Sequence, residues 1–200
     1  MKRKILFLSA LLFLTACEEE NNEREFLKFY GDAREDIGYS IAMADDGYLI
    51  CGELSIITRT PEEGIVADSS RMGIIKTGFD GNTIWKKSFG GRFEGIGSKV
   101  VVLDDGSIIC TGYIVDPDPD NNPATEKQET DIFVVKLNAD GSGALEKRFV
   151  SPWNQAGCDI LQTDEGFIIL ATTDVGQSDA ESSGNIEGKK DILLLRLNTN

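Results

Sequence analysis

The sequence predicts an all-β fold: a β-propeller-type array of about three four-stranded antiparallel blades, either an incomplete ring or one completed by a second subunit. Three observations predict it. A sixty-residue unit recurs, with Phe29, Phe89 and Phe149 in one phase and Lys76, Lys136 and Arg196 in another. Gly38, Gly97 and Gly157 keep the same spacing to within one residue. Turns recur too, as Asp46-Gly47, Asp105-Gly106 and Glu165-Gly166. A fixed period of this size marks an array or a propeller.

The elements follow in order. Lys2, Arg3 and Lys4 precede an apolar run over residues 5–14, long enough for a secretory core and too short to span a bilayer as a helix. Leu14-Thr15-Ala16-Cys17 closes it. This run resembles the lipobox of bacterial lipoproteins. The resemblance implies a signal peptide over 1–16, cleavage before Cys17, and fatty acyl chains such as palmitate on the Cys17 sulfur and amino group. An ordinary signal peptide with a chance cysteine is the alternative. Two or more acyl chains anchor stably where one does not. Residues 17–25 are polar and acidic and read as a solvated tether. Their acidity resembles the export signals that follow the lipidated cysteine in Bacteroidetes surface lipoproteins, though the Lys or Gln those usually begin with is missing. The expected address is the outer membrane or cell surface, with either face open.

Residues 26–200 carry the repeats, in units of about 30–89, 90–149 and 150–200. In the second unit, Lys99 to Leu103 and Ser107 to Thr111 flank Asp104-Asp105-Gly106, a hairpin signal. Asp131 to Leu137 and Leu145 to Phe149 flank a second tight turn at Ala139-Asp140-Gly141. The first unit repeats this with Ser40 to Ala44, Tyr48 to Gly52, Met72 to Thr77 and Ile84 to Phe89. The third has Asp159 to Gln162, Phe167 to Ala171 and Asp191 to Leu197. Ile108-Ile109-Cys110, Ile132-Phe133-Val134-Val135, Phe167-Ile168-Ile169-Leu170 and Ile192-Leu193-Leu194-Leu195 are apolar on both parities, so both faces of such strands must be covered. A blade stacked between two others satisfies this. A β-sandwich with accidental repetition is the competing reading. Phe26 to Tyr30 shares the phase of the fourth strands and is expected to complete the last blade.

Lys136-Leu137-Asn138-Ala139-Asp140-Gly141, the Trp85 to Gly91 run and the Asp104 to Ser107 hairpin resemble the β-propeller repeats of bacterial secreted proteins and lipoproteins. The resemblance implies the fold and names no catalytic residues.

Composition narrows the function. The formal charge of −14 becomes −17 once the three basic leader residues are removed, which disfavours nucleic acid and anionic lipid headgroups. There is no histidine, which excludes Ser-His-Asp and Cys-His systems and histidine acid–base chemistry. Cys51, Cys110 and Cys158 read as buried thiols. Cys51 and Cys110 fall at matching places in neighbouring units, too far apart for a bridge.

Long connections at Leu54 to Ser70, Ile114 to Thr130 and Thr173 to Lys190 share one end of the blades and are acidic. Such loops are solvated surface or a recognition face. Asp116, Asp118 and Asp120 offer oxygens at calcium-like spacing without the glycine and glutamate of an EF-hand. No cofactor is expected, and calcium is the one alternative. Trp153 with Asn154 and Gln155 has the make-up of a sugar subsite, a ring to stack and amides for hydroxyls; packing between blades is the alternative. The functional expectation is a membrane-anchored, non-catalytic binding or scaffold propeller with a glycan or protein ligand. The alternatives are a carboxylate-based carbohydrate-active enzyme and a truncated propeller with no activity of its own. A truncated or incomplete ring is the favoured expectation, and a homodimer completing the ring is the alternative.

Overall fold

The computed structural model describes residues 25–31, 35–60, 64–116, 129–174 and 190–198, with the backbone alone at 56–60 and 64–68. The leader, Cys17, most of the tether, Asp118 and Asp120 lie outside the described residues. Among the described residues eleven strands form three antiparallel sheets. The first blade holds β1 (Ile37–Ala44), β2 (Gly47–Thr60), β3 (Gly64–Thr77) and β4 (Thr83–Phe89). The second holds β5 (Glu94–Val102), β6 (Ile108–Asp116), β7 (Glu129–Leu137) and β8 (Leu145–Phe149). The third holds β9 (Gln155–Thr163), β10 (Gly166–Thr173) and β11 (Asp191–Asn198), three strands among the described residues where four were expected. The array is all-β and open, an incomplete propeller-like stack.

The two-sided strands of the second blade are buried as their composition requires, but those of the third are not: Leu170, Ile192 and Leu194 are exposed, because among the described residues no further blade covers that face. Between the first and second blades, Leu49, Cys51, Met72 and Ile74 meet Val100, Ile108, Cys110 and Val135. Between the second and third, Ile109, Ile132 and Val134 meet Ile160, Phe167 and Ile169. Ile108 and Ile109 are adjacent in β6, face opposite ways, and are 1 % and 2 % exposed. Full burial of each such side chain contributes about 1.5–3 kcal/mol.

Two devices repeat with the units. The first strand of each blade is bulged at the recurring glycine, with register breaks between Gly38 and Ser40, Gly97 and Lys99, and opposite Leu170 and Ala171, where Gly157 and Asp159 pair. The extra residues are Tyr39, Ser98 and Cys158, and a bulge leaves such a residue out of the ladder. Its neighbouring strand must come close: a Cβ on Gly112 would lie 1.9 Å from the Ile96 carbonyl oxygen, and one on Gly52 would lie 1.9 Å from that of Ile37. The second device is charge. Lys76 pairs with Asp46 and Arg196 with Glu165, each between a third strand and the first turn. In the second blade Lys136 occupies the same place and lowers Asp105, whose larger stabilisers are the Ser107 hydroxyl and amide.

Three expectations are corrected. Leu54 to Ser70 is not a long loop: β2 and β3 pair from Tyr48–Thr77 out to Thr60–Gly64. Residues 26–30 do not complete the last blade. They run irregularly over the first blade, where Tyr30 donates to the Gly81 carbonyl at 2.8 Å, Lys28 donates to Asn82 at 3.0 Å, and Phe26 lies 6.5 Å from the Tyr48 ring. Cys158 is exposed, because it is the bulge residue of β9.

Candidate functional site

The tight turns and the long connections sit at opposite ends of the blades, and each end presents a polar constellation.

At the loop end, β6, β7 and β8 converge on Arg148. Its Nε donates to Asp131 Oδ2 at 2.6 Å and its Nη2 to Asp116 Oδ2 at 2.7 Å. Asp131 is 1 % exposed and also accepts from the Ser151 amide at 3.2 Å. The guanidinium lies 4.9 Å from the Phe93 ring centre. Burial pulls the Arg148 pKa down, and the hydrogen bonds it donates to Asp116 and Asp131 outweigh it, so the group is raised above its usual value and stays charged. Asp116 is the one described member of the expected calcium trio, and one of its oxygens is held by Arg148. Among the described residues no three His, Cys, Asp or Glu side chains are grouped to hold a metal ion.

Trp153, Asn154 and Gln155 form the crossover into the third blade. Asn154 is used at both ends of its amide. Its Oδ1 accepts from the Thr130 amide at 3.0 Å and its Nδ2 donates to Asp174 Oδ2 at 2.7 Å, while its carbonyl accepts from the Asp174 amide at 3.1 Å. Gln155 pairs with Thr173 as the first residue of β9. Trp153 is half-buried, and Ser151 ties down its backbone through its hydroxyl. The trio therefore welds the second blade to the third, and the Asn154 amide already has protein partners at both ends.

At the turn end lies a groove of about 420 Å³ between the first two blades, lined by Asp45, Asp46, Lys76, Asp104 and Asp140. The sequence reading places Asp46, Asp104 and Asp140 in turns and Lys76 in a strand, and assigns none of them to a site. The usable signal was the conserved phase of Lys76, Lys136 and Arg196 against the turn acids, which brings one basic side chain back to each turn. Asp140 is held below its ordinary value by the Ser142 hydroxyl and amide, with Lys87 as a smaller cause.

The cysteines also depart from expectation. By pairing register, Leu49 stands opposite Lys76 and Ile109 opposite Lys136. The counterpart of Cys51 is therefore Thr111, not Cys110. Cys51 faces the second blade, Cys110 faces the first, and both enter one core cluster.

No protein-family model and no curated protein matches the chain.

Proposed function

We propose that the protein is an extracytoplasmic lipoprotein, held at the outer membrane or cell surface through acylated Cys17, whose propeller-like domain binds or scaffolds and does not catalyse. The leader pattern at residues 2–17 supports the anchor. The observation that carries the binding reading is the outward face of the third blade. Leu170, Ile192 and Leu194 are 40 %, 81 % and 66 % exposed there. By register and period, Ile192 and Leu194 correspond to Ile132 and Val134 of the second blade, and to Met72 and Ile74 of the first. Those four are buried beneath the next blade. Among the described residues no blade covers these side chains, and a contiguous exposed apolar face marks an association surface.

The ligand we assign to it is a second copy of the chain. The first blade exposes the other half of the same junction, with Ile41 and Met43 at 65 % and 71 % exposure. Their counterparts Val100 and Val102 are packed against the first blade inside the chain. Third blade on first blade repeats, between copies, a contact made twice within one chain. Two copies joined this way at both ends give a six-bladed ring, within the usual range of four to eight.

The test is the mass of the full chain in detergent, by light scattering coupled to size exclusion. Two chains per particle are expected, and Leu194→Lys should return one. A wild-type monomer at tens of micromolar overturns the second-copy assignment. Cys17→Ala should leave the membrane fraction; if it stays, the anchor is elsewhere. Release of reducing sugar from a glycan panel would overturn the non-catalytic reading.

A further inference from the structure

Cys51 and Cys110 are 1 % and 0 % exposed and lie on facing surfaces of the first two blades. They meet at Gly97 in β5. A Cβ built on Gly97 would stand 3.1 Å from Cys110 Sγ and 3.3 Å from Cys51 Cβ, so a side chain here would press on both cysteines at once. Cys51 Sγ donates to the Gly97 carbonyl at 3.3 Å and Cys110 Sγ to the Thr111 carbonyl at 3.8 Å. Gly97 lies beside the β5 bulge, and both thiols belong to the single core cluster between the first two blades. The remaining described cysteine, Cys158, is exposed on β9 rather than buried at this seam.

We propose that Cys51 and Cys110 are a redox pair that closes into a disulfide stapling the first blade to the second. The oxidant is a disulfide, either a small molecule or a thiol–disulfide exchange protein. One cysteine thiolate attacks a sulfur of that disulfide and expels one thiolate. The other cysteine, as thiolate, then attacks the mixed disulfide and expels the second. One S–S bond is broken and one formed. Two electrons pass to the oxidant, and the two protons lost by the cysteines are taken up by its two thiolates. In the folded dithiol, contact with the Cys51 thiol and then burial push the Cys110 thiol well above its ordinary value. Thiolate is the attacking form. Closure is therefore fast while the blades are still assembling and slow once they have packed.

The test uses the full chain carrying Cys17→Ser, unfolded and reduced, then refolded in a glutathione redox buffer. It is denatured without reductant, alkylated and digested. The expected product is a Cys51–Cys110 cross-linked peptide, with Cys158 alkylated. In the folded oxidised protein, added reductant should lower the thermal midpoint by about 10 °C, since the bond closes a loop of about sixty residues. Cys110→Ala should remove that reductant dependence. Complete alkylation of both Cys51 and Cys110, or a cross-link that includes Cys158, overturns the proposal. The peptide readout is taken on the native pair and does not require the alanine variant to fold.

Discussion

Replacing Asp131 by alanine should be among the most damaging single changes on the loop end. Its carboxylate is 1 % exposed and receives two donors from Arg148 and one from the Ser151 amide. Removing one partner of a buried, hydrogen-bonded ion pair costs about 3–5 kcal/mol, because the other charge is left uncompensated. Here Arg148 is 22 % exposed and keeps Asp116 at 2.7 Å, which places the ionic part near the low end. The orphaned Ser151 amide adds roughly 1 kcal/mol. The expected loss is about 3–4 kcal/mol, or roughly a 10 °C fall in the thermal midpoint for a chain of this size. Urea unfolding followed by tryptophan fluorescence measures it, with Trp153 two residues from Ser151 as reporter. Arg148→Met should cost a similar amount, and the double variant clearly less than the sum. A loss below about 1 kcal/mol for Asp131→Ala, or additive losses, would refute the reasoning.

Gly112→Ala should cost about 3 kcal/mol or more in the same urea assay, because its Cβ would strike the Ile96 carbonyl oxygen and backbone cannot swing aside. Thr111→Val should raise stability by about 1 kcal/mol, since the Thr111 hydroxyl is buried among the described residues without a hydrogen-bond partner. The turn acids predict an acid-sensitive fold. Asp80, Asp105 and Asp140 are held below the ordinary carboxylate value by turn hydrogen bonds. A lowered folded-state pKa contributes stability that is complete above about pH 4 and fades as pH falls through the folded values. Unfolding midpoints should therefore hold from pH 7 to pH 5 and drop below pH 4. A midpoint unchanged down to pH 3 contradicts this.

Much of the fold was legible because its cause is local. Asp-Gly turns and two-sided apolar runs specify hairpins and burial within a few residues. Strand positions such as Leu145–Phe149 follow from that alone. What escaped was register. Counting from the glycine turns aligns Cys51 with Cys110 at fifty-nine residues, whereas pairing across the sheet aligns Leu49 with Ile109 at sixty. A shift of one residue sends a side chain to the opposite face. Two thiols read as equivalent and distant are therefore opposed and close. The fate of Phe26 to Tyr30 escaped for a related reason. Its phase matches a fourth strand, but its aromatic rings find Tyr48 and the Gly81 turn instead. The Asn154 amide looked available because nothing in the sequence shows that Thr130 and Asp174 will close on it.

A repeat also shows where specific function belongs. Features held in common across units maintain the stack: the bulge glycine, the basic residue returning to the turn acid, and the apolar positions of the second and third strands. Features that differ are free of that duty. The largest backbone difference is the first blade's β2–β3 hairpin, fourteen residues on each side, against nine in β6 and nine in β7. The stacking contacts do not need the extra length, since the core residues Leu49, Cys51, Met72 and Ile74 lie nearer the turn end. An extended two-stranded arm also exposes backbone that a third strand can use. Deleting residues 57–67 and rejoining the arm with a two-residue Asn-Gly turn should therefore leave the thermal midpoint within a few degrees, whereas Ile74→Ala should cost about 3 kcal/mol. If shortening the arm unfolds the domain, the arm is part of the scaffold, and specific function must be sought at the loop-end crossovers.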